Sequence, residues 1–519
     1  IGNAGADMGS RGYVSAYDAQ TGRLAWRFWA VPGDPRKGPD ETPEVTLARK
    51  TWAADTRWDL GGGGDPWDSI AFDPKSGLVF LGLGNGGPLP RWLRSPSGGD
   101  NLFLSSVVAV DAKTGRMKWY YQETPGDSWD YTATAPIVLA DIPWKGHLRH
   151  VLMQAPKNGL FYVIDRETGE LLSAKPYTTV NWTSGVDLKT GRPRLTVHAD
   201  YSHRPRIVWP GSAGGHGWQP MSYDPTSGLV YLPVYGAPTK YQTVAIPKFL
   251  PGGFNNGVAG SPPPFNAPQD KAELAGQPAP KMEGRLKAWK PEAGRAEWIS
   301  RPLPFLVGGT LSTSGNLVFQ GTSDGNLSVY RATDGKLLKR IFTGTAMMAA
   351  PIAYAQDGKE YVAVLAGAGG PQNTLWSPGN VASRYENFER LLVFELGGGP
   401  VPLPAKFMPP QREIAPARIA ADVVTLTRGQ RLFEQQCARC HAEGGGLGAY
   451  PDLWNMAKAG VDGFDDIVSR GALRDFGMAN FSDSLSKADV AAIKAFIIDD
   501  ELDRRAHRPP RTISRVHFH

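Results

Sequence analysis

The chain has 519 residues, with 62 glycines, 44 prolines and 16 tryptophans, and a formal charge of only +6. Its length argues for more than one domain, and the Gly, Pro and Trp content argues against a helical bundle and for many short strands and turns. No run of basic residues interleaved with aromatics points to nucleic acid, and no apolar run approaches the ~18 residues of a membrane span.

The opening Ile1-Gly2-Asn3 has no initiator methionine and falls inside a strand–turn unit, so it reads as the start of a fragment or of a processed product. Soon after it begins a repeat. Ala16-Tyr17-Asp18-Ala19-Gln20-Thr21-Gly22-Arg23-Leu24-Ala25-Trp26 returns as Ala109-Val110-Asp111-Ala112-Lys113-Thr114-Gly115-Arg116-Met117-Lys118-Trp119, with weaker copies from Val163, Ala288 and Val329. A second unit, Phe72-Asp73-Pro74-Lys75-Ser76-Gly77-Leu78, precedes several copies and recurs from Tyr223 and Ser314. Strand, Asp/Gly turn and strand, repeated every few tens of residues, predict an all-β propeller over 1–396. Five blades and the last part of another can be counted, with tryptophans placed to dock between neighbours. The stretch from Thr239 to Met282, rich in Pro, Gly and Ala, reads as an inserted loop on one face.

Residues 397–421 carry Gly-Gly-Gly-Pro and five further prolines, the composition of an extended, semi-rigid linker. Beyond it, 422–503 has the signals of a small all-α domain. Thr427 is placed to cap a helix from Arg428 to Gln436, and Ser486-Lys487-Ala488-Asp489 to open a second whose Val490, Ile493, Phe496 and Ile497 share one face. The first helix runs into Cys437-Ala438-Arg439-Cys440-His441, and these are the only two cysteines. Two thiols three apart reach the two vinyl groups of a haem while the histidine meets the iron, so the motif reads as covalent haem c. A redox C-x-x-C or half of a zinc site are the alternatives, but neither a strand–helix context nor a second ligand pair is visible. For the far iron ligand, Met478 on a turn-rich segment stands ahead of Met456, which is placed on a helix. The tail 504–519, with five arginines and three histidines, reads as a solvated terminus. Haem c is normally attached outside the cytoplasmic membrane, which makes the periplasm the expected compartment.

A propeller with docking tryptophans followed by C-x-x-C-H resembles the quinohaemoprotein alcohol dehydrogenases. The specific pieces are Gly61-Gly62-Gly63-Gly64-Asp65-Pro66-Trp67-Asp68, Gly84-Asn85-Gly86, Thr124-Pro125-Gly126-Asp127-Ser128-Trp129-Asp130-Tyr131 and Ala155-Pro156-Lys157-Asn158-Gly159. The resemblance implies an eight-bladed propeller whose N-terminal blades lie upstream of Ile1, and three cofactors: pyrroloquinoline quinone, calcium and haem c. It makes Asp130 the catalytic base, Trp67 the floor beneath the quinone, and Lys157 the cation at the quinone oxygen. Gly5, Ala6 and Trp218 become further quinone contacts, and Asp7, Asn85 and Asp130 the calcium ligands. Cys437 and Cys440 carry the haem, with His441 and Met478 on its iron. The chain departs from the family at Ala4, at Asp7 in place of glutamate, at Asp65 before Trp67 and at Gly217 before Trp218. Thr132 is not the aspartate that lanthanide-using relatives carry, which favours calcium.

The implied activity is oxidation of a small alcohol, with electrons passing from quinone to haem and on to an external cytochrome, copper protein or quinone. A non-catalytic propeller scaffold with a tethered cytochrome, or the dehydrogenase subunit of a membrane complex, are the competing readings. Read singly, Asp130, Asn85 and Trp67 are also ordinary turn or docking residues.

Overall fold

The computed structural model describes residues 1–38, 42–249, 253–368, 379–408, 416–438, 440–441 and 450–506. Most of the tail falls outside them.

The Asp-x-x-Thr-Gly repeats fold into one recurring turn. Asp111 Oδ1 accepts from the backbone N–H groups of Lys113 and Thr114 at 3.1 and 3.0 Å and from the Thr114 hydroxyl at 2.9 Å. Gly115 closes the turn on the Asp111 carbonyl at 2.8 Å with φ +68°, a backbone state in which a Cβ is costly. Asp18, Asp165 and Asp187 build the same turn.

Each turn joins two antiparallel strands, those of Asp111 and Asp165 each within a four-stranded meander and that of Asp187 in a separate hairpin. Among the described residues four sheets have four strands, beginning at Ile70–Asp73, Ile137–Trp144, Ser222–Asp224 and Val307–Thr313. A fifth joins Ile352–Gln356, Lys359–Ala366 and Arg390–Glu395, and Tyr13–Tyr17 pairs with Leu24–Trp29. These are the blades counted from the repeats.

Tryptophans lock neighbouring sheets together. Trp26 lies against Gly115, where a Cβ would come within 2.6 Å of the ring, and its Nε1 donates to the Ala112 carbonyl at 2.9 Å. Trp119 repeats this on Gly169 and the Arg166 carbonyl, and Trp298 on Gly335 and the Ala332 carbonyl. Burying most of an indole contributes about 4 kcal/mol at each seam, from ~150 Å² at ~25 cal/mol per Å².

Three expectations change. The stretch from Thr239 to Met282 is not only loop. Thr239–Thr243 and Val258–Ser261 form a sheet with Arg206–Val208, and Pro268–Glu273 is helical. The pairing partner lies some thirty residues upstream, so no local pattern announces it. The helix before the haem motif spans Val423–Gln436 and starts at Asp422 rather than Thr427, because the Asp422 carboxylate accepts from Thr425 N–H at 2.8 Å. Met456 is not helical; it ends the short turn Leu453–Asn455 with extended backbone.

The described part of the linker is extended and tied to the last sheet. The Ala405 carbonyl accepts from Glu386 N–H at 2.9 Å, and the Pro402 carbonyl from Arg390 at 2.8 Å. In the following domain, Ser486 and Asp489 form the expected capping box of Lys487–Arg505. The two helices cross at Gly429, where a Cβ would meet the Ala492 carbonyl at 2.0 Å. Phe433, Phe496 and Trp454 fill the core beside that crossing.

Candidate active site

The stretch from Asp127 to Tyr131 follows the strand Met117–Gln122 and is bolted from several directions. Asp127 Oδ1 accepts from the N–H groups of Trp129 at 3.0 Å and Tyr131 at 3.1 Å. Trp129 Nε1 donates to the Ala199 carbonyl, and the Tyr131 hydroxyl to that of Pro210 at 2.5 Å. The Tyr241 hydroxyl reaches the Trp129 carbonyl at 2.8 Å, the Tyr201 hydroxyl reaches that of Ser128, and buried Arg94 reaches that of Asp127 at 2.8 Å. Held this way, Asp130 adopts φ +66° and is buried. A non-glycine residue fixed in that region is a costly state of the kind that clusters at functional sites.

Lys157 projects from the loop between His147–Gln154 and Leu160–Asp165, and its Nζ donates to Asp130 Oδ2 at 2.6 Å. Asn158 anchors that loop: its side chain donates to Thr124 and Tyr162, and its carbonyl accepts from Trp182 Nε1. Burial raises the Asp130 carboxyl above its usual range while Lys157 pulls it back.

Asp7 enters from the turn Ala6–Met8, which begins at Gly5 with φ +115°. Its carboxyl is pushed up to about 7, first by burial and then by the Asp130 carboxylate, with Lys157 opposing and Asp65 adding to the repulsion. A carboxyl raised by burial and by a neighbouring carboxylate in this way is one that a cation would relieve.

Asn85 reaches the same place through glycine packing. Gly62–Gly63 pairs with Gly86–Gly87, a Cβ on Gly87 would lie 2.4 Å from the Ala6 carbonyl, and Gly64 N–H donates to the Asn85 carbonyl at 2.8 Å. Only glycine permits these approaches. The Asn85 amide donates through Nδ2 to the Gly86 carbonyl at 3.2 Å, which leaves Oδ1 as the atom for a cation. Among the described residues no group of three or more His, Cys, Asp or Glu could hold a metal. Asp7, Asp130 and Asn85 would instead offer two carboxylates and an amide, hard oxygen donors of the kind that fit calcium.

Trp67 and Trp218 differ from the docking tryptophans. Their side chains stay 44% and 38% exposed, and among the described residues neither ring stacks on another. Open indole faces of this kind fit a planar ligand such as the quinone.

Asp65 was visible in the sequence only as a departure. It is buried, and both its oxygens accept from the Ser10 hydroxyl, at 2.7 and 2.6 Å. Arg94 and His216, both fully buried, were not singled out; their partners are largely backbone carbonyls, which leave no side-chain signature.

At the second centre Cys437, Cys440 and His441 form one turn, with His441 N–H bonded to the Cys437 carbonyl at 2.9 Å. His441 Nδ1 donates to the Pro451 carbonyl at 3.0 Å, which presents Nε2 as the ligand atom. Burial holds this imidazole below its ordinary pKa, the direction that favours the neutral ring. Met456 is buried in the same core, and Met478 packs against it, partly buried. This apolar setting with a pre-oriented histidine fits a haem.

Residues 2–181 match the family described as glucose/ethanol/alcohol dehydrogenase, beta-propeller domain, and residues 424–497 match cytochrome C oxidase, cbb3-type, subunit III. The chain is 44% identical to quinohemoprotein alcohol dehydrogenase ADH IIB of Pseudomonas putida, over 97% of this chain and 71% of that one. It superposes on the solved structure of ADHIIG from Pseudomonas putida HK5 with a TM-score of 0.83 and 40% identity, covering 98% of this chain and 74% of the other. For the Comamonas testosteroni enzyme the TM-score is 0.79 and the identity 38%, covering 98% and 73%. Propeller, site and cytochrome domain together define a quinone-dependent dehydrogenase with its own electron carrier. The chain belongs to the quinohaemoprotein alcohol dehydrogenase family. It is an oxidoreductase of alcohols that uses pyrroloquinoline quinone and haem c.

Proposed function

We propose that Asp130 is the general base of this alcohol dehydrogenase and that Asp7, Asn85 and Asp130 hold a calcium ion at the quinone. The carrying observation is the ion pair of buried Asp130 with Lys157, together with the Asp7 carboxyl that the Asp130 carboxylate pushes up. Bound there, the quinone would supply a hydride acceptor for the carbinol carbon and calcium would supply a Lewis acid for the quinone carbonyl. Asp130 takes the hydroxyl proton on Oδ1, since Oδ2 is held by Lys157. Lys157 places positive charge where negative charge develops, Trp67 forms the flat floor, and Gly5, Ala6 and Trp218 complete the wall.

The same reading makes 1–396 the catalytic propeller, 397–421 the linker and 422–503 the haem domain, with Cys437 and Cys440 as thioether attachment points and His441 and Met478 on the iron. The basic stretch 504–519 starts inside the last helix rather than after it, since Arg504 pairs with Asp500 at 2.7 Å and Arg505 with Glu501 at 2.6 Å; from 507 on it lies outside the described residues. Electrons leave the haem for an external cytochrome, copper protein or quinone, in the periplasm where haem c is attached. Among the described residues no helix is long and apolar enough to cross a membrane.

The test is reduction of an artificial acceptor by primary or secondary alcohols. Turnover that requires added quinone and calcium and is lost in Asp130→Asn supports the reading; full turnover in Asp130→Asn removes the base assignment. Failure to bind quinone at all favours the scaffold.

A further inference from the structure

His216 is fully buried, and both ring nitrogens face carbonyl oxygens: Nδ1 lies 2.7 Å from the Ala155 carbonyl and Nε2 2.7 Å from that of Gln219. A carbonyl only accepts. A neutral imidazole has one N–H and one lone pair, so it satisfies one of these oxygens and sets its lone pair against the other; only imidazolium donates to both. Side chains that bring titratable groups to this loop are Lys157, Tyr177 and Tyr235. The Tyr177 hydroxyl donates to the Pro156 carbonyl, Tyr235 N–H donates to the Gly215 carbonyl, and Gly215 N–H donates to the Lys157 carbonyl. No carboxylate is among them, so the carbonyls are what favour the charge. Burial opposes it and is the larger influence, which sets the ring below the ordinary histidine range.

Ala155 is two residues before Lys157, and Gln219 directly follows Trp218. We propose that His216 is a positioning residue whose doubly protonated ring ties the Lys157 loop to the turn carrying Trp218, fixing two walls of the quinone site relative to each other. This rests on the assignment of Lys157 and Trp218 to the quinone. When the ring loses a proton one tie goes, and the two walls are held by the Gly215–Lys157 hydrogen bond and a single imidazole contact.

Two measurements on the full-length, haem-loaded protein test this. In reduced, 15N-histidine-labelled protein, with the His216 signals identified by their absence in His216→Gln, the ring should pass from one ring proton to two as the pH is taken from the alkaline to the acid end of the range in which the fold persists. The dissociation constant of pyrroloquinoline quinone is then compared between wild type and His216→Gln across that range. The ratio of the two cancels the pH dependence of the other site groups. Gln keeps neutral amide donors but takes up no charge at any pH, so its affinity should be close to wild type at the alkaline end and about tenfold weaker at the acid end, the effect of lacking one charge-assisted hydrogen bond. A single-proton ring throughout, or a ratio that does not change with pH, overturns the proposal. If wild type binds no quinone at any pH, the site assignment and this role fall together. That failure is recognised by ring signals that still show two protons.

Discussion

Lys157 Nζ stands 2.6 Å from Asp130 Oδ2, and both side chains are largely shielded from solvent. The pair sets the basicity of the proposed base from two directions, burial raising the Asp130 carboxyl and the lysine lowering it. Lys157→Met therefore removes the lowering influence. The acid limb of the pH–rate profile, which marks ionisation of the base, should move to higher pH, as read from kcat at saturating alcohol. Asp130→Asn keeps the shape and removes the base, so kcat should fall by about two to four orders of magnitude with quinone still bound.

Asp7 gives a pH dependence of opposite character for cation and fold. Its carboxyl titrates at about 7 when no cation is present, so calcium binding must displace a proton below that pH. Apparent calcium affinity should rise from about pH 5 to about pH 7 and then level off, as measured by calorimetry. For the calcium-free protein the sign reverses. The folded pKa lies above the usual carboxylate value of 3.8, so the contribution of Asp7 to stability is complete below about pH 4 and lost as pH rises towards about 7. The rise in thermal midpoint on adding calcium should therefore be larger at pH 7 than at pH 5, and Asp7→Asn should flatten the difference.

How much was legible in the chain depended on where each hydrogen bond closes. Asp111, Thr114 and Gly115 bond within five residues, so their turn could be read directly and carried the propeller with it. The sheet made by Thr239–Thr243 and Arg206–Val208 closes over more than thirty residues and could not. Asp130 and Lys157 look ordinary in isolation, and only a family resemblance brought them together. Arg94 and His216 remained hidden even so, because a side chain that binds carbonyls needs no matching residue type on the other side.

The inter-blade lock can be weighed by one substitution made at two equivalent turns. Gly22 and Gly115 share φ values of +69° and +68°, but a Cβ on Gly22 meets nothing within 4 Å, whereas one on Gly115 lies 2.6 Å from Trp26. Gly22→Ala should cost about 1 kcal/mol, the strain of the left-handed backbone alone. Gly115→Ala adds displacement of an indole already bonded to the Ala112 carbonyl, for a total of about 2–4 kcal/mol. Comparing thermal midpoints of the two variants isolates the docking contribution; equal losses would mean that the indole is not a lock.

The haem centre offers the choice between two methionines. Met456 is buried among Phe433, Trp454 and Cys437, whereas Met478 follows the turn Arg474–Phe476 and packs only partly against that core. A buried methionine already serves as filler, so its removal costs stability; one at the edge of the core has less packing to lose and more freedom to meet an iron. Met478→Ala should abolish the methionine–iron charge-transfer band and lower the reduction potential, since a thioether favours ferrous iron, while leaving the thermal midpoint nearly unchanged. Met456→Ala should keep the band and lose about 2–4 kcal/mol of stability. Loss of the band in Met456→Ala, with Met478→Ala unchanged, would transfer the ligand assignment to Met456.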